Sequence, residues 1–371
     1  MFNTSFKQKN KFTSNKLQID CGAIANNYKI IKKFIGNEVI CAATIKANAY
    51  GLGVIPVMRC LSKAGCNRFF VTSLDEALEL RKASITDEIY VLNGVYAGEE
   101  EEFAKAQIIP ILNNKGQFEL FNNYCRRKDK SFEAAININT GLNYIGLFAD
   151  EAIELAKRGF FDQKVKLRFI MSRLACSSQK DNDYNKKQLN VIKELQQVFH
   201  LPISLADSEA IALGAEYHFN IVKPGIMLYG VESSLVDLSL KPAISLVSSI
   251  IQINEAREDL LIGYDNIGKV SKGSILATIP IGYADGMMRS ICNKAVFYIN
   301  GEPAPVVGNV SMDLLTLDVT KVNSNYLHLG AEVEILGKNS TIETLAKSAE
   351  TSSHEIVTAL GARLQRLYIN F

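Results

Sequence analysis

From residue 20 to about 230, short β-branched runs alternate with longer amphipathic stretches, the pattern of a parallel sheet wrapped by helices. The runs predict eight strands: Val39 to Ile45, Arg68 to Thr72, Glu88 to Leu92, Ile108 to Leu112, Glu133 to Asn139, Lys166 to Met171, Pro202 to Ala206 and Asn220 to Val222. Between them, apolar positions recur at helical spacing, as in Leu74 to Lys82, where Leu74, Ala77, Leu78 and Leu80 alternate with Asp75, Glu76 and Glu79. Ahead of the first strand, Ala23 to Phe34 puts Ile24, Tyr28, Ile31 and Phe34 on one helical face. Eight such units in roughly 210 residues suit a TIM-type (β/α)8 barrel. After about residue 235 the helical spacing fades and β-rich runs return at Ala243 to Ile253, Ser274 to Ile279, Lys294 to Ile299 and Leu314 to Val319. Turn signals at Lys272-Gly273 and Asn300-Gly301 separate them, so a second, mostly antiparallel β domain is expected, with late helices at Ile342 to Glu350 and near His354 to Leu360. The expected division is an N-terminal arm over 1–16, associated with the C-terminal domain, the barrel over 17–235 and the β-rich domain over 236–371.

Composition narrows the class. The chain has 371 residues, 47% of them hydrophobic, and a formal net charge of +2, which suits a folded two-domain protein and argues against nucleic acid as a partner. No apolar stretch approaches the roughly 20 residues that span a bilayer, and Met1 to Lys16 lacks the apolar core of a secretory signal. Seven cysteines without a CxxC pair argue against a disulfide framework or a zinc site, and point to a reducing cytoplasm. The four histidines, His200, His218, His328 and His354, share no metal-ligand spacing, so no metal is expected.

Barrel active sites form at the carboxyl ends of the strands, and phosphates often bind after strands seven and eight. Three features converge there. Lys46 closes the first strand, at the start of Lys46-Ala47-Asn48-Ala49-Tyr50-Gly51; Asp207-Ser208 follows the seventh strand; Lys223-Pro224-Gly225-Ile226 follows the eighth. A lysine at a strand end can lose its proton and attack a carbonyl. The Tyr50 and Ser208 hydroxyls, with the Gly225 and Ile226 N–H groups, form a candidate phosphate cradle. From the residues alone, a Schiff-base aldolase barrel is one reading, but it leaves the second domain idle.

With these residues in place, the chain resembles the alanine racemase family of fold-type III pyridoxal-phosphate enzymes, over nearly its whole length from Leu17-Gln18-Ile19-Asp20 to Arg366-Leu367-Tyr368. The motifs that carry the resemblance are Ile45-Lys46-Ala47-Asn48-Ala49-Tyr50-Gly51, Ile262-Gly263-Tyr264, Pro280-Ile281-Gly282-Tyr283-Ala284-Asp285-Gly286 and Val310-Ser311-Met312-Asp313. The resemblance implies that Lys46 holds pyridoxal 5'-phosphate covalently and handles the Cα proton of the D-isomer, while Tyr264, supplied by the second subunit of a homodimer with shared active sites, handles that of the L-isomer. It further implies that Tyr50, Ser208, Gly225 and Ile226 hold the phosphate, that Met312 gives a backbone N–H to the substrate carboxylate, and that Tyr283 narrows the approach beside Asp313.

The chain departs from the family pattern at several positions. Lys223 stands where the family has the arginine that faces the pyridine nitrogen, and Arg173, in Met171-Ser172-Arg173-Leu174-Ala175, stands where it has histidine. Tyr144, in Asn139-Thr140-Gly141-Leu142-Asn143-Tyr144, replaces the arginine that assists the substrate carboxylate. Asn137 replaces a lysine that some members carbamylate, and Asn309 replaces a further arginine. We read Arg173 and Lys223 as a compensating exchange of cations, with Arg173 favouring the tyrosinate form of Tyr264. The expected function is racemisation of alanine, supplying the D-isomer for peptidoglycan. The alternatives are racemisation of another amino acid such as serine or lysine, given the altered residue at Tyr144, or a non-catalytic pyridoxal-phosphate carrier.

Overall fold

The computed structural model describes residues 14–83 and 86–371. Most of the N-terminal arm expected from the sequence therefore lies outside the described residues. The chain divides into two compact units, one of 24–49 and 53–241, the other of residues up to 23, 50–52 and 242–371.

The first unit is the barrel. Its eight parallel strands fall where the β-branched runs predict them, with the first in two pieces: Ile40–Cys41 with Ala43–Thr44, then Arg68–Val71, Glu88–Val91, Ile109–Leu112, Glu133–Asn139, Lys166–Met171, Ile203–Ser204 and Ile221–Val222. Each strand pairs with the next around the ring, and the eighth pairs back to the first through Ile221↔Ile40 and Val222↔Cys41. The interior is filled by inward side chains, among them Phe70, Tyr90 and Phe169, whose ring centroids lie 4.8 to 6.3 Å apart. At the amino ends of the strands an ion network closes the floor. Glu88 takes bonds from Arg68 Nε (2.8 Å), Arg168 Nη2 (3.2 Å) and the Tyr90 hydroxyl, and Arg168 also reaches Glu133 at 2.7 Å. Burial opposes charge on Glu88, but these donors outweigh it and hold its carboxyl below the usual range.

The helices begin where side chains can accept the first free N–H groups. Asn114 caps Lys115–Arg127 by accepting from Gln117 N, Asn182 caps Asp183–Phe199 through Tyr184 N, and Asp207 caps Ser208–Leu213 through Ala210 N. The last cap fixes where Ser208 sits.

The second unit is built on a sheet of nine described strands, in the order Gln252–Glu255, Ile275–Ile279, Leu315–Asp318, Glu302–Val307, Val296–Ile299, Glu332–Leu336, Ile244–Ser249, Lys16–Asp20 and Gln365–Ile369. Neighbours are antiparallel except the final pair. A separate hairpin, Leu260–Ile262 with Gly268–Val270, is held by a small cluster of Ala256, Val270 and Leu276 with Leu260, Ile262 and Val307. Residues 17–23, assigned to the barrel by the sequence reading, belong to this second unit. Leu17 and Ile19 are buried while Lys16 and Gln18 are exposed, and this period of two suits a strand between Ile244–Ser249 and Gln365–Ile369. The single run read over Ala243 to Ile253 is likewise two strands.

Truncating Phe169 to Ala in the barrel core removes contacts with two other rings. We expect a loss of about 3–5 kcal/mol, read as a lower midpoint in urea unfolding, with no shift of the midpoint arguing against this packing.

Candidate active site

In the barrel unit the candidate residues gather at the carboxyl ends of the strands. Lys46 follows Ala43–Thr44 and opens a turn in which Ala47, Asn48, Ala49 and Tyr50 all take left-handed backbone angles (φ 52 to 57°) before Gly51. Each such L-residue costs roughly 1–2 kcal/mol, so the turn must be held from outside. Glu76 does so on one side, with Oε1 accepting from Ala47 N (2.7 Å) and Oε2 from Thr72 N (2.7 Å). Asn48 does so on the other, its Oδ1 accepting from Val54 N and its carbonyl from Gly53 N. In the sequence Glu76 reads only as a polar position of an amphipathic helix; its bonds to the lysine turn and to Thr72 are what mark it.

The Lys46 ammonium is disfavoured by burial and by the Arg173 guanidinium, against which Glu76 and Asp207 act, and the net effect lowers its pKa below the lysine range. That is the direction a nucleophilic amine needs at neutral pH. Arg173 itself is half-buried, and its guanidinium makes no hydrogen bond or ion pair among the described residues. Its backbone is fixed by the buried Gln188, which donates to Arg173 O (2.9 Å) and Thr140 Oγ1 (3.0 Å) and accepts from Ala175 N.

Lys223 is buried, and its Nζ donates to the carbonyls of Leu205 (2.8 Å), Ser172 (3.1 Å) and Ser204 (3.4 Å). Its donors go to the ends of strands six and seven, where the expectation has it facing the cofactor ring. Burial pushes it down to about 7, with Arg173 adding to the shift and Asp207 opposing it.

The cradle differs from expectation in one donor. Gly225 N gives its hydrogen to Ser208 Oγ (2.9 Å), and Met227 N points to the same oxygen at 3.4 Å. Ser208 accepts there and keeps its own proton to donate. Ile226 N–H, at the start of the short 3-10 turn Ile226–Tyr229, has no acceptor among the described residues. A hydroxyl and an unpaired N–H beside a lysine of lowered pKa fit the phosphate and aldehyde of pyridoxal phosphate. The Asn137 amide donates to Asn113 Oδ1 (2.9 Å), a neutral pair where a carbamate would carry charge. Tyr144 is 87% exposed.

In the second unit, Tyr50 packs its ring 5.9 Å from that of His354. Tyr264 sits at the tip of the hairpin, 74% exposed, with its carbonyl held by Asn309 Nδ2 at 2.6 Å. Tyr283 and Met312 lie on two loops zipped together, Tyr283 N to Ser311 O (3.0 Å) and Ala284 N to Met312 O (3.1 Å). Arg363 clamps both loops, with Nε and Nη2 on the buried Asp285 (2.9 and 2.7 Å) and Nη1 on Asp313 (2.6 Å). The sequence reading missed Arg363 and Asn309 as positioning groups, because nothing in local spacing ties residue 363 to 285 and 313. Among the described residues, no group of three or more His, Cys, Asp and Glu side chains could hold a metal.

The family descriptions "Alanine racemase, N-terminal domain" and "Alanine racemase, C-terminal domain" match residues 19–233 and 243–368. The chain belongs to the alanine racemase family. It is 37% identical to the alanine racemase of Rickettsia akari over 95% of this chain and 98% of that protein. The crystal structure of alanine racemase from Bartonella henselae with covalently bound pyridoxal phosphate superposes with a TM-score of 0.91 at 35% identity, covering 96% of this chain and 99% of that one. The Bacillus anthracis alanine racemase with bound L-Ala-P gives 0.86 at 27% identity, covering 97% and 96%.

Two outcomes test this geometry. A Cβ at Gly282 would lie 2.3 and 2.4 Å from the carbonyl oxygens of Ser311 and Met312, so Gly282→Ala must part the two loops. It should cost roughly 1–3 kcal/mol and loosen the loops, read as faster amide exchange at Tyr283 and Ala284. For Lys223 the unfolded chain keeps its proton to the ordinary lysine value while the folded chain releases it near 7, so the unfolded state binds more protons above pH 7. This group's contribution to stability therefore rises with pH from about 7 to the lysine range. Lys223→Met should flatten that rise in melting temperature, and parallel pH profiles for the two proteins would refute the assignment.

Proposed function

We propose that this chain interconverts L-alanine and D-alanine, with pyridoxal 5'-phosphate bound to Lys46 and its phosphate received by Ser208, Ile226 and Tyr50. The observation that carries the reading is the place of Lys46 at the carboxyl end of the first barrel strand, with the Ser208 hydroxyl and the Ile226 N–H after strands seven and eight, and burial lowers the proton affinity of that lysine. When bound there, the cofactor supplies the electron sink that acidifies the Cα–H of an amino acid. The chain's own groups do the rest. Lys46 Nζ takes or returns the Cα proton on one face, and Tyr264 Oη, presented by a second copy of the chain, does so on the other. Tyr264 suits that role because its backbone is pinned by Asn309 while its ring is left exposed on the hairpin. Exposed Leu261 and Ile267 beside it suit burial against a partner chain, in a homodimer whose sites draw on both copies.

Met312 N–H and Tyr283, on loops held by Arg363 through Asp285 and Asp313, bound the substrate's carboxylate side. We place the protein in the cytoplasm, in keeping with seven cysteines that hold no CxxC pair, and its product in peptidoglycan synthesis. No described helix is long and apolar enough to cross a membrane.

The deciding experiment follows exchange of the Cα hydrogen for deuterium in L- and D-alanine, with serine and lysine as competing substrates. Lys46→Ala should abolish exchange in both isomers by several orders of magnitude, whereas Tyr264→Phe should lose it selectively from L-alanine. Equal exchange in the wild type and both variants would overturn the two-base assignment. Faster exchange in serine or lysine than in alanine would overturn the substrate.

A further inference from the structure

Resting on the reading of Lys46 and the Ser208–Ile226 cradle as a pyridoxal-phosphate site, we propose that Arg173, not Lys223, is the cation that meets the cofactor's ring nitrogen, and that Lys223 is a structural cap beneath it.

Three observations converge. The first is where Lys223 spends its donors. Its Nζ bridges the carbonyls of Leu205, Ser172 and Ser204 from within a fully enclosed position, tying the ends of strands six and seven to strand eight. To turn toward a ligand it would have to abandon carbonyls that are buried with it and leave them unpaired.

The second observation is that Arg173 is the reverse case. It stands two residues beyond the strand Lys166–Met171, its main chain held by Gln188, and its guanidinium has no hydrogen bond or ion pair among the described residues. It follows the carboxyl end of its strand, on the same end of the barrel as Lys46 and Lys223, and its charge acts on both. A half-buried guanidinium held beside two amines, with no partner of its own, is a donor waiting for an acceptor.

The third is the shape of the cofactor against the strand order. Its aldehyde and its phosphate arm occupy adjacent ring carbons. Were the aldehyde held at strand one and the phosphate after strands seven and eight, the ring nitrogen, opposite the aldehyde carbon, would be met by residues on the next strands of the ring, six and five. The chain after strand five offers Asn139-Thr140-Gly141, and that after strand six offers Ser172-Arg173-Leu174, so Arg173 is the cation there. A guanidinium does not give up its proton in the accessible pH range, so it holds the nitrogen as an acceptor, whereas a lysine that titrates near neutrality does not.

The test uses the holoenzyme reconstituted with cofactor carrying 15N in the ring. Borohydride reduction and mass spectrometry of the Lys46 peptide first establish the covalent site; absence of a Lys46 adduct in the wild type would sink the reading of the site itself, and this inference with it. Given the adduct, the ring 15N shift of the wild type should stay constant as pH is varied. In Arg173→Gln it should move with pH, and the cofactor should dissociate about tenfold more readily. Arg173→Lys should restore part of the binding. Lys223→Met should lower the melting temperature and leave the ring signal as in the wild type; should that variant not fold, the Arg173 pair decides alone. A ring signal indifferent to Arg173→Gln would overturn the proposal. A signal that moves in Lys223→Met would do the same, and so would an effect of Arg173→Gln confined to the binding of carboxylate inhibitors.

Discussion

Closure of the barrel between its eighth and first strands is the constraint on which the site depends. The seam includes the backbone bonds Ile40 N to Asn220 O, Ala42 N to Val222 O and Thr44 N to Pro224 O, and the Thr44 hydroxyl donates to Lys223 O. An open sheet would leave these groups unpaired in an apolar interior, at a cost of a few kcal/mol for each. Closing it brings residue 46 alongside 223–226, although almost 180 positions separate them in the chain. Short strands make this register strict: Ile221–Val222 offers only two residues, and a slip by one would turn Lys223 from the interior to the outer face.

Closure also sets a charge problem. Lys46, Arg173 and Lys223 share the mouth, with Asp207 and Glu76 as the carboxylates that act on them. The structure manages the surplus in two ways. The Lys223 ammonium is screened locally by three carbonyl dipoles, while burial depresses its pKa to about 7. Lys46 is pushed toward the neutral amine by the same burial and by Arg173. Arg173 thus adds to the effect of burial on Lys46 and also contributes positive potential toward an anionic ligand.

Much of this was legible in the sequence, and the reason is periodicity. All eight barrel strands lie within their β-branched runs, because a parallel strand buried on both faces must be apolar at nearly every position, as Ile109–Leu112 is. The lysine turn and the Asp207-Ser208 pair were visible for a related reason, since small residues and cap residues mark strand ends. What escaped was set by contacts distant in sequence. Lys16–Asp20 reads as a strand once its alternation is noticed, but its partners are at 244–249 and 365–369. That Gly225 N–H is spent on Ser208, and Lys223 on three carbonyls, follows from where strand ends fall to within an ångström, which no spacing rule reports.

The same distinction explains how the second unit presents its side chains. Tyr264, Tyr283 and Met312 are all at least 45% exposed, so packing of their own side chains cannot orient them. Their backbones are fixed instead. Asn309 holds the carbonyl of Tyr264, the Gly282 approach lets the Tyr283 and Met312 loops bond main chain to main chain, and Arg363 locks both through two carboxylates. Charge-assisted bidentate bonds of this kind are short and directional, and the buried Asp285 end is shielded from solvent, so the clamp survives where a single surface ion pair would contribute little. A side chain that must meet something outside its own chain has to be bare before that encounter, and only a rigid main chain can keep it aimed in the meantime. Exposure of the tips and rigidity of their supports are therefore two aspects of one requirement, and an arginine 50 residues from Asp313 in the sequence is what satisfies it.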